Sequence, residues 1–182
     1  VSTLLRDNAH DEKHDAAMKA DDHATVTVLH SALLENHHSG LNLQGSTGVL
    51  DSSVIRDVLP TADGGNGIAI RGFVGTKPTP AFLTVRASLI EDCVEAAIGA
   101  IETDVVIETS ILRDVKARPS DGLFGDALVT MSRTPERGPA VVSGLRVEKV
   151  ARAGISTFGG KVDLGFTRSS CATFPLAGEP LD

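Results

Sequence analysis

The sequence predicts an all-β solenoid in which short and long rungs alternate. Three observations carry this expectation: a motif that returns at alternating intervals, three short strand-like segments inside each copy, and no stretch with a sustained helical period. The motif reads apolar, any, apolar, two of any, small polar, any, apolar, any, acid, then a small or apolar residue. Its small polar position falls on Ser2, Ser31, Ser53, Ser88 and Ser110, with Leu145 and Thr167 in the same place. The intervals are 29, 22, 35, 22, 35 and 22 residues, so from Ser31 onward every second copy lies 57 residues away. Such periods belong to solenoids, whose units bury their apolar faces only against their neighbours.

Each copy resolves into strands separated by Gly, Asp and Ser. Around Ser53, Leu50, Ile55 and Val58 lead to Gly67, Ile68 and Ile70. Around Ser88, Leu83 and Val85 precede Ile90 and Cys93, and a turn leads to Ala97, Ile98 and Ile101. Around Ser110 the equivalents are Val105, Ile107, Leu112 and Val115, then Gly122 and Leu123. Three period-two strands in 22 residues leave no room for crossover helices, so the strands must coil upon themselves.

The runs Ser31-Ala-Leu-Leu-Glu-Asn36 followed by Gly40-Leu41, and Ser53-Val-Ile-Arg-Asp57 followed by Gly67-Ile68, resemble the repeats of the right-handed parallel β-helix family, the pectate-lyase-like superfamily. The resemblance implies a single-stranded right-handed parallel β-helix of about seven rungs, roughly 33 Å long at the usual strand spacing. It also implies a bacterial extracellular or cell-surface setting. For function it implies a non-catalytic scaffold presenting side loops to a protein or polysaccharide, or alternatively a polysaccharide lyase or glycoside hydrolase, because such folds carry many activities.

The 182 residues, 41% of them hydrophobic, suffice for one domain with a sizeable core. The coil is expected over 1–171 and a carboxy-terminal cap over 172–182, where Phe174, Pro175 and Pro180 depart from the repeat. A net charge of −7 with acids and bases interspersed provides no basic patch for phosphates, which argues against nucleic acid and anionic membranes as partners. No apolar run reaches the roughly 18 residues of a membrane span, and no signal-peptide pattern opens the chain. Val1 has no Met before it, so the chain is expected to be a mature or excised piece. Since the first rung begins at Ser2, its strand edge is expected to meet missing sequence or another subunit.

Stacking the copies sets equivalent residues side by side. One column reads Arg56, Glu91, Arg113, Glu148, an alternation that pairs opposite charges on neighbouring strands. The next reads Glu35, Asp57, Asp92, Asp114, Lys149, whose acids should repel unless turn amides or a cation compensate them, amides being the favoured of the two. Cys93 and Cys171, three rungs and about 14 Å apart, are out of disulfide reach and read as small apolar residues. The serine column reads as a hydroxyl ladder, because no histidine shares its register past residue 38.

Long rungs carry two sets of insertions. The first covers 8–16, 59–66 and 116–121; the second covers Arg71 to Phe82 and Asp126 to Ala140. Insertions at matching places should form a side wall, with Phe73, Lys77, Phe82, Met131, Arg133, Glu136 and Arg137 as the candidate binding surface. Candidate catalytic groups are Asp63, Asp92, Asp121, Asp126 and Arg71, with Glu95, Arg118 and Arg152 also available; a polysaccharide lyase needs acids holding Ca²⁺ beside a basic residue, and a hydrolase needs facing carboxylates. None of them falls in a signature of those enzymes. The chain has six Phe and no Trp or Tyr, which counts against an aromatic-lined glycan groove. All six histidines precede residue 39. His10 and His14, spaced i and i+4, and the pair His37 and His38 are the candidate ligands for Zn²⁺ or a similar ion, with Asp11 or Asp15 beside them. No cofactor is otherwise expected.

Overall fold

A computed structural model describes residues 3–6, 16–76, 79–133, 137–170 and 172–179. Apolar residues at alternate positions form short strands, and three strands complete a rung. The first sheet, A, stacks β1 (Leu4–Arg6), β4 (Ala32–Leu34), β7 (Val54–Val58), β10 (Leu89–Val94), β13 (Ile111–Lys116), β16 (Arg146–Val150) and β19 (Arg168–Ser170). Sheet B stacks β2 (Ala16–Asp21), β5 (Ser39–Gln44), β8 (Ile68–Phe73), β11 (Ala96–Ile101), β14 (Asp126–Met131), β17 (Ala153–Phe158) and β20 (Phe174–Glu179). Sheet C stacks β3 (Thr25–Leu29), β6 (Thr47–Asp51), β9 (Ala81–Arg86), β12 (Thr103–Glu108), β15 (Ala140–Ser143) and β18 (Val162–Gly165). All pairings are parallel between successive rungs. The chain is therefore a right-handed parallel β-helix of about seven rungs. Among the described residues no helix is long and apolar enough to cross a membrane.

Each sheet sends a register-matched apolar column inward: Leu33, Ile55, Ile90, Leu112 and Val147 from A; Leu41, Ile70, Ile98, Leu128 and Ile155 from B; Val28, Leu50, Val85, Ile107 and Val142 from C. All are buried, which is the hydrophobic term that drives the coil shut. Cys93 lies among them as a free thiol, and burial pushes its pKa up to about 12. Cys171 lies outside the described residues.

The serines form the expected ladder. Ser31, Ser53 and Ser88 donate their backbone N–H groups to the hydroxyls of Ser53, Ser88 and Ser110 at 3.0, 3.1 and 3.2 Å, respectively. The hydroxyls of Ser53, Ser88 and Ser110 in turn donate to the carbonyls of Asp51, Arg86 and Glu108. Leu145, buried in the same column, has no hydroxyl to extend it.

The charge column also forms: Glu91, 6% exposed, lies between Arg56 at 3.8 Å and Arg113 at 2.5 Å. The acid column is compensated differently from expectation. Glu35, Asp57, Asp92, Asp114 and Lys149 all have φ between 50 and 57°, a left-handed corner that Asp tolerates better than most residues. Their carboxylates meet side-chain cations: Arg6 with Glu35, Arg56 with Asp57, Lys116 with Asp92, and Lys149 with Asp114. Turning out at the corner brings each acid within reach of a neighbouring long basic side chain.

Residues 174–179, expected within a cap, pair in parallel with β17 as the last strand of sheet B. Pro175 has no N–H to give, which an edge strand tolerates.

Candidate functional site

The short rungs pass from sheet A to sheet B in one to four residues, a single one at Glu95, whereas the described long rungs insert loops 59–67 and 117–125 there. These loops flank the turn at Glu95, between β10 and β11. Each loop returns to sheet B through a glycine that a side chain would disrupt. At Gly67, φ is 88° and a Cβ would sit 2.9 Å from Cβ of Val94; at Gly125, φ is 97° and a Cβ would sit 2.6 Å from Cβ of Ala151. Above the turn the loops meet, since a Cβ on Gly64 would lie 3.3 Å from Cβ of Ser120.

Beneath them is a charged cluster. The Glu95 side chain is 15% exposed, its Oε1 is 3.8 Å from Nη1 of Arg118, and its Oε2 is buried without a hydrogen-bond partner. Burial raises the carboxyl's pKa, and the Asn66 amide, Arg118 and Arg71 oppose the rise only in part. Arg71, outward on β8, donates from Nη1 to Nε2 of His38 at 2.9 Å and to Oδ1 of Asn66 at 3.1 Å. Among the described residues its Nε and Nη2 have no hydrogen-bond partner. Arg118 grips Asp121 with two parallel bonds and stacks 4.6 Å from the centroid of Phe124; Arg152 approaches the same ring at 5.4 Å.

The meeting loops bring Asp63 and Asp121 together around Arg118, but each acid proposed as catalytic is engaged by partners of its own. Asp63 accepts from Thr61 Oγ1 and the Gly65 amide, which folds the tip of loop 59–67. Asp121 is committed to Arg118 and the Leu123 amide, and both contacts hold its pKa low. Asp92 pairs with Lys116 on the outside of sheet A. Asp126 is fully buried and held by Arg152, the Ala153 amide and Ser156. Arg71 does join the cluster, and Glu95 is the carboxyl there that keeps one oxygen without a hydrogen-bond partner.

For the histidines, both ring nitrogens of His38 are engaged: Nε2 by Arg71 and Nδ1 near Ser39 Oγ at 3.4 Å. An arginine only donates, so Nε2 is the acceptor and the proton sits on Nδ1. His37 lies in the adjacent turn, paired with Leu59 through a backbone bridge. His10, His14, Asp11 and Asp15 lie outside the described residues. Among the described residues no three His, Cys, Asp or Glu side chains come together in a metal-binding group.

The proposed side wall is also rearranged. Phe73 and Met131 are strand residues of sheet B and Phe82 is a strand residue of sheet C, because the Gly-rich and Pro-rich spans begin and end inside strands. The described residues that follow Phe73 and Met131 reach turns of earlier rungs. Thr76 bonds to Asp22, Arg133 donates its amide to Glu102, and Arg137 lies 3.8 Å from the same carboxyl. Lys77 and Glu136 lie outside the described residues. Asn66, Phe124 and the outward Ile101 and Phe158 are contributors that residue type alone did not single out; the signal for Glu95 was its place on a short turn between two long insertions.

The chain matches no family model, and no match was found among curated proteins or solved structures.

Proposed function

We propose that the chain is a non-catalytic β-helix scaffold, secreted or displayed on a bacterial surface and pectate-lyase-like in descent, that binds a glycan beneath its two meeting loops. One observation carries the reading: Glu95 keeps a carboxylate oxygen without a hydrogen-bond partner within electrostatic reach of Arg71, whose Nε and Nη2 donors are unfilled among the described residues. Adjacent sugar hydroxyls both donate and accept, so a diol fills an acceptor and a donor together. Burial makes the unfilled Glu95 oxygen costly until a ligand or water satisfies it. Recognition by charged groups also suits a chain with no Trp or Tyr. The other acids are each committed to structural partners, which favours binding over catalysis by a pair of carboxyls.

The alternative, a polysaccharide lyase or hydrolase, is favoured by the raised pKa of Glu95, a property of general acids. Titration with neutral and acidic oligosaccharides, with and without Ca²⁺, separates the readings when unsaturated-product absorbance and reducing ends are followed alongside. Saturable binding that Glu95→Gln and Arg71→Gln abolish, without product, is expected. Turnover would overturn the non-catalytic reading, and no binding to any glycan would overturn both.

A further inference from the structure

On the outer face of sheet B an apolar column starts where the charged cluster around Arg71 ends. Ile101 pairs with Met131, and Met131 with Phe158; the pairing of Ala100 with Gly72 sets Phe73 beside Ile101. Ile101 is 48% exposed and Met131 38%, although each lies in a regular strand flanked by inward residues. Four consecutive rungs thus present Phe73, Ile101, Met131 and Phe158 as one stripe, whereas the rung before them carries Gln44 in the same column.

The stripe is continuous with the cleft. On β8, Arg71 and Phe73 are successive outward positions, and the guanidinium carbon lies 5.9 Å from the phenyl centroid. On β11 the chain runs from Glu95 to Ile101 past Gly99, which pairs with Arg71 on one side and Val129 on the other. A Cβ on Gly99 would meet only the Ile68 side chain, at 3.5 and 3.6 Å, so the strand between the two ends is a shallow hollow. A ligand along β11 would meet charge and open hydrogen-bond capacity at one end and apolar side chains at the other.

We infer that the glycan bound at Glu95 and Arg71 carries methyl-ended substituents, as 6-deoxy sugars and O-acetyl esters do, and that these lie against Phe73, Ile101, Met131 and Phe158. The inference rests on the glycan reading of the cleft and adds its specificity. The polar cleft orients hydroxyls, while burial of methyl groups on the stripe selects the substituted sugar; a hydroxymethyl or bare hydroxyl at the same place gains no apolar contact and loses water.

The test uses two matched pairs titrated calorimetrically: D-rhamnose against D-mannose oligosaccharides of the same linkage, and O-acetylated against unmodified xylo-oligosaccharides. The methyl-bearing member of at least one pair is expected to bind about tenfold tighter to the native chain, and which pair responds tells a deoxy methyl from an acetyl. The double variant Ile101→Gln with Met131→Gln should reduce that preference to less than about twofold by weakening the methyl-bearing member more than the unsubstituted one. Gln44 shows that the column accommodates this side chain, and circular dichroism confirms the fold of the variant. Equal affinities within both pairs, or a preference that survives the double variant, would overturn the inference while leaving the cleft intact, provided Glu95→Gln still weakens every sugar. Binding to no sugar at all would remove both.

Discussion

Arg71 donates from Nη1 to Nε2 of His38 across 2.9 Å, and this one bond sets the imidazole's tautomer. With Nε2 occupied as acceptor, the ring carries its proton on Nδ1, toward Ser39. Long-range proton–nitrogen NMR of the His38 ring should show the Nδ1–H form. In Arg71→Gln the ring should show a different nitrogen-shift pattern. An Nε2–H pattern in the native chain would contradict the assignment.

Glu95 should make stability depend on pH in a defined direction. Its folded pKa is raised, chiefly by burial, so its contribution is fully present below the ordinary carboxylate range and is lost as pH rises through the folded value. At about pH 8 the ionised carboxyl is then a liability, and Glu95→Gln should melt at a higher temperature than the native chain. That advantage should vanish at about pH 3.5. An equal shift at both pH values would show that the charge is not its source.

The serine ladder is a buried hydrogen-bond chain, and its middle member should matter most. Ser88→Ala removes the acceptor of the Ser53 amide and the donor to the Arg86 carbonyl. Leaving a buried amide unpaired costs about 1 to 3 kcal/mol, read as a lower urea midpoint at constant slope. Ser31→Ala, nearer the surface, should cost less.

Asp126 is fully buried, and its charge is balanced by Arg152, whose side chain is 37% exposed. Arg152→Ala should therefore destabilise by about 3 kcal/mol, toward the lower end for broken buried pairs because the Ala153 amide and Ser156 hydroxyl remain. Combining it with Asp126→Asn should recover part of the loss. No recovery would mean that Arg152 acts through its packing on Phe124.

The coil was legible because its residues repeat at fixed offsets. Ser53, Ser88 and Ser110, and the apolar columns through Ile55 and Ile90, stack in the expected register. What the pattern could not convey was how loops close. Gly64 and Ser120 are far apart in sequence and touch only because two long rungs flank a short one, so the isolation of Glu95 depends on tertiary contact. Asp63 and Asp121, chosen for their chemistry, proved to be turn-formers. The partners of Asp57, Asp92 and Asp114 were misassigned because the left-handed corner, invisible in composition, turns their carboxylates toward arginine and lysine. Phe73 and Met131 were assigned to loops because strand ends cannot be read inside Gly-rich and Pro-rich spans.

The alternation of short and long rungs makes the molecule divisible. Because every 57 residues return the chain to an equivalent point two strand spacings along, about 9.6 Å, cutting and rejoining at homologous serines keeps every column in register. A tandem copy of the stretch from Ser53 to Thr109 would lengthen the coil by two rungs and create a second pair of facing loops with its own Glu95. Growth of the gene by internal duplication would thus add binding sites in single file, and valency could change without altering the architecture of any one site.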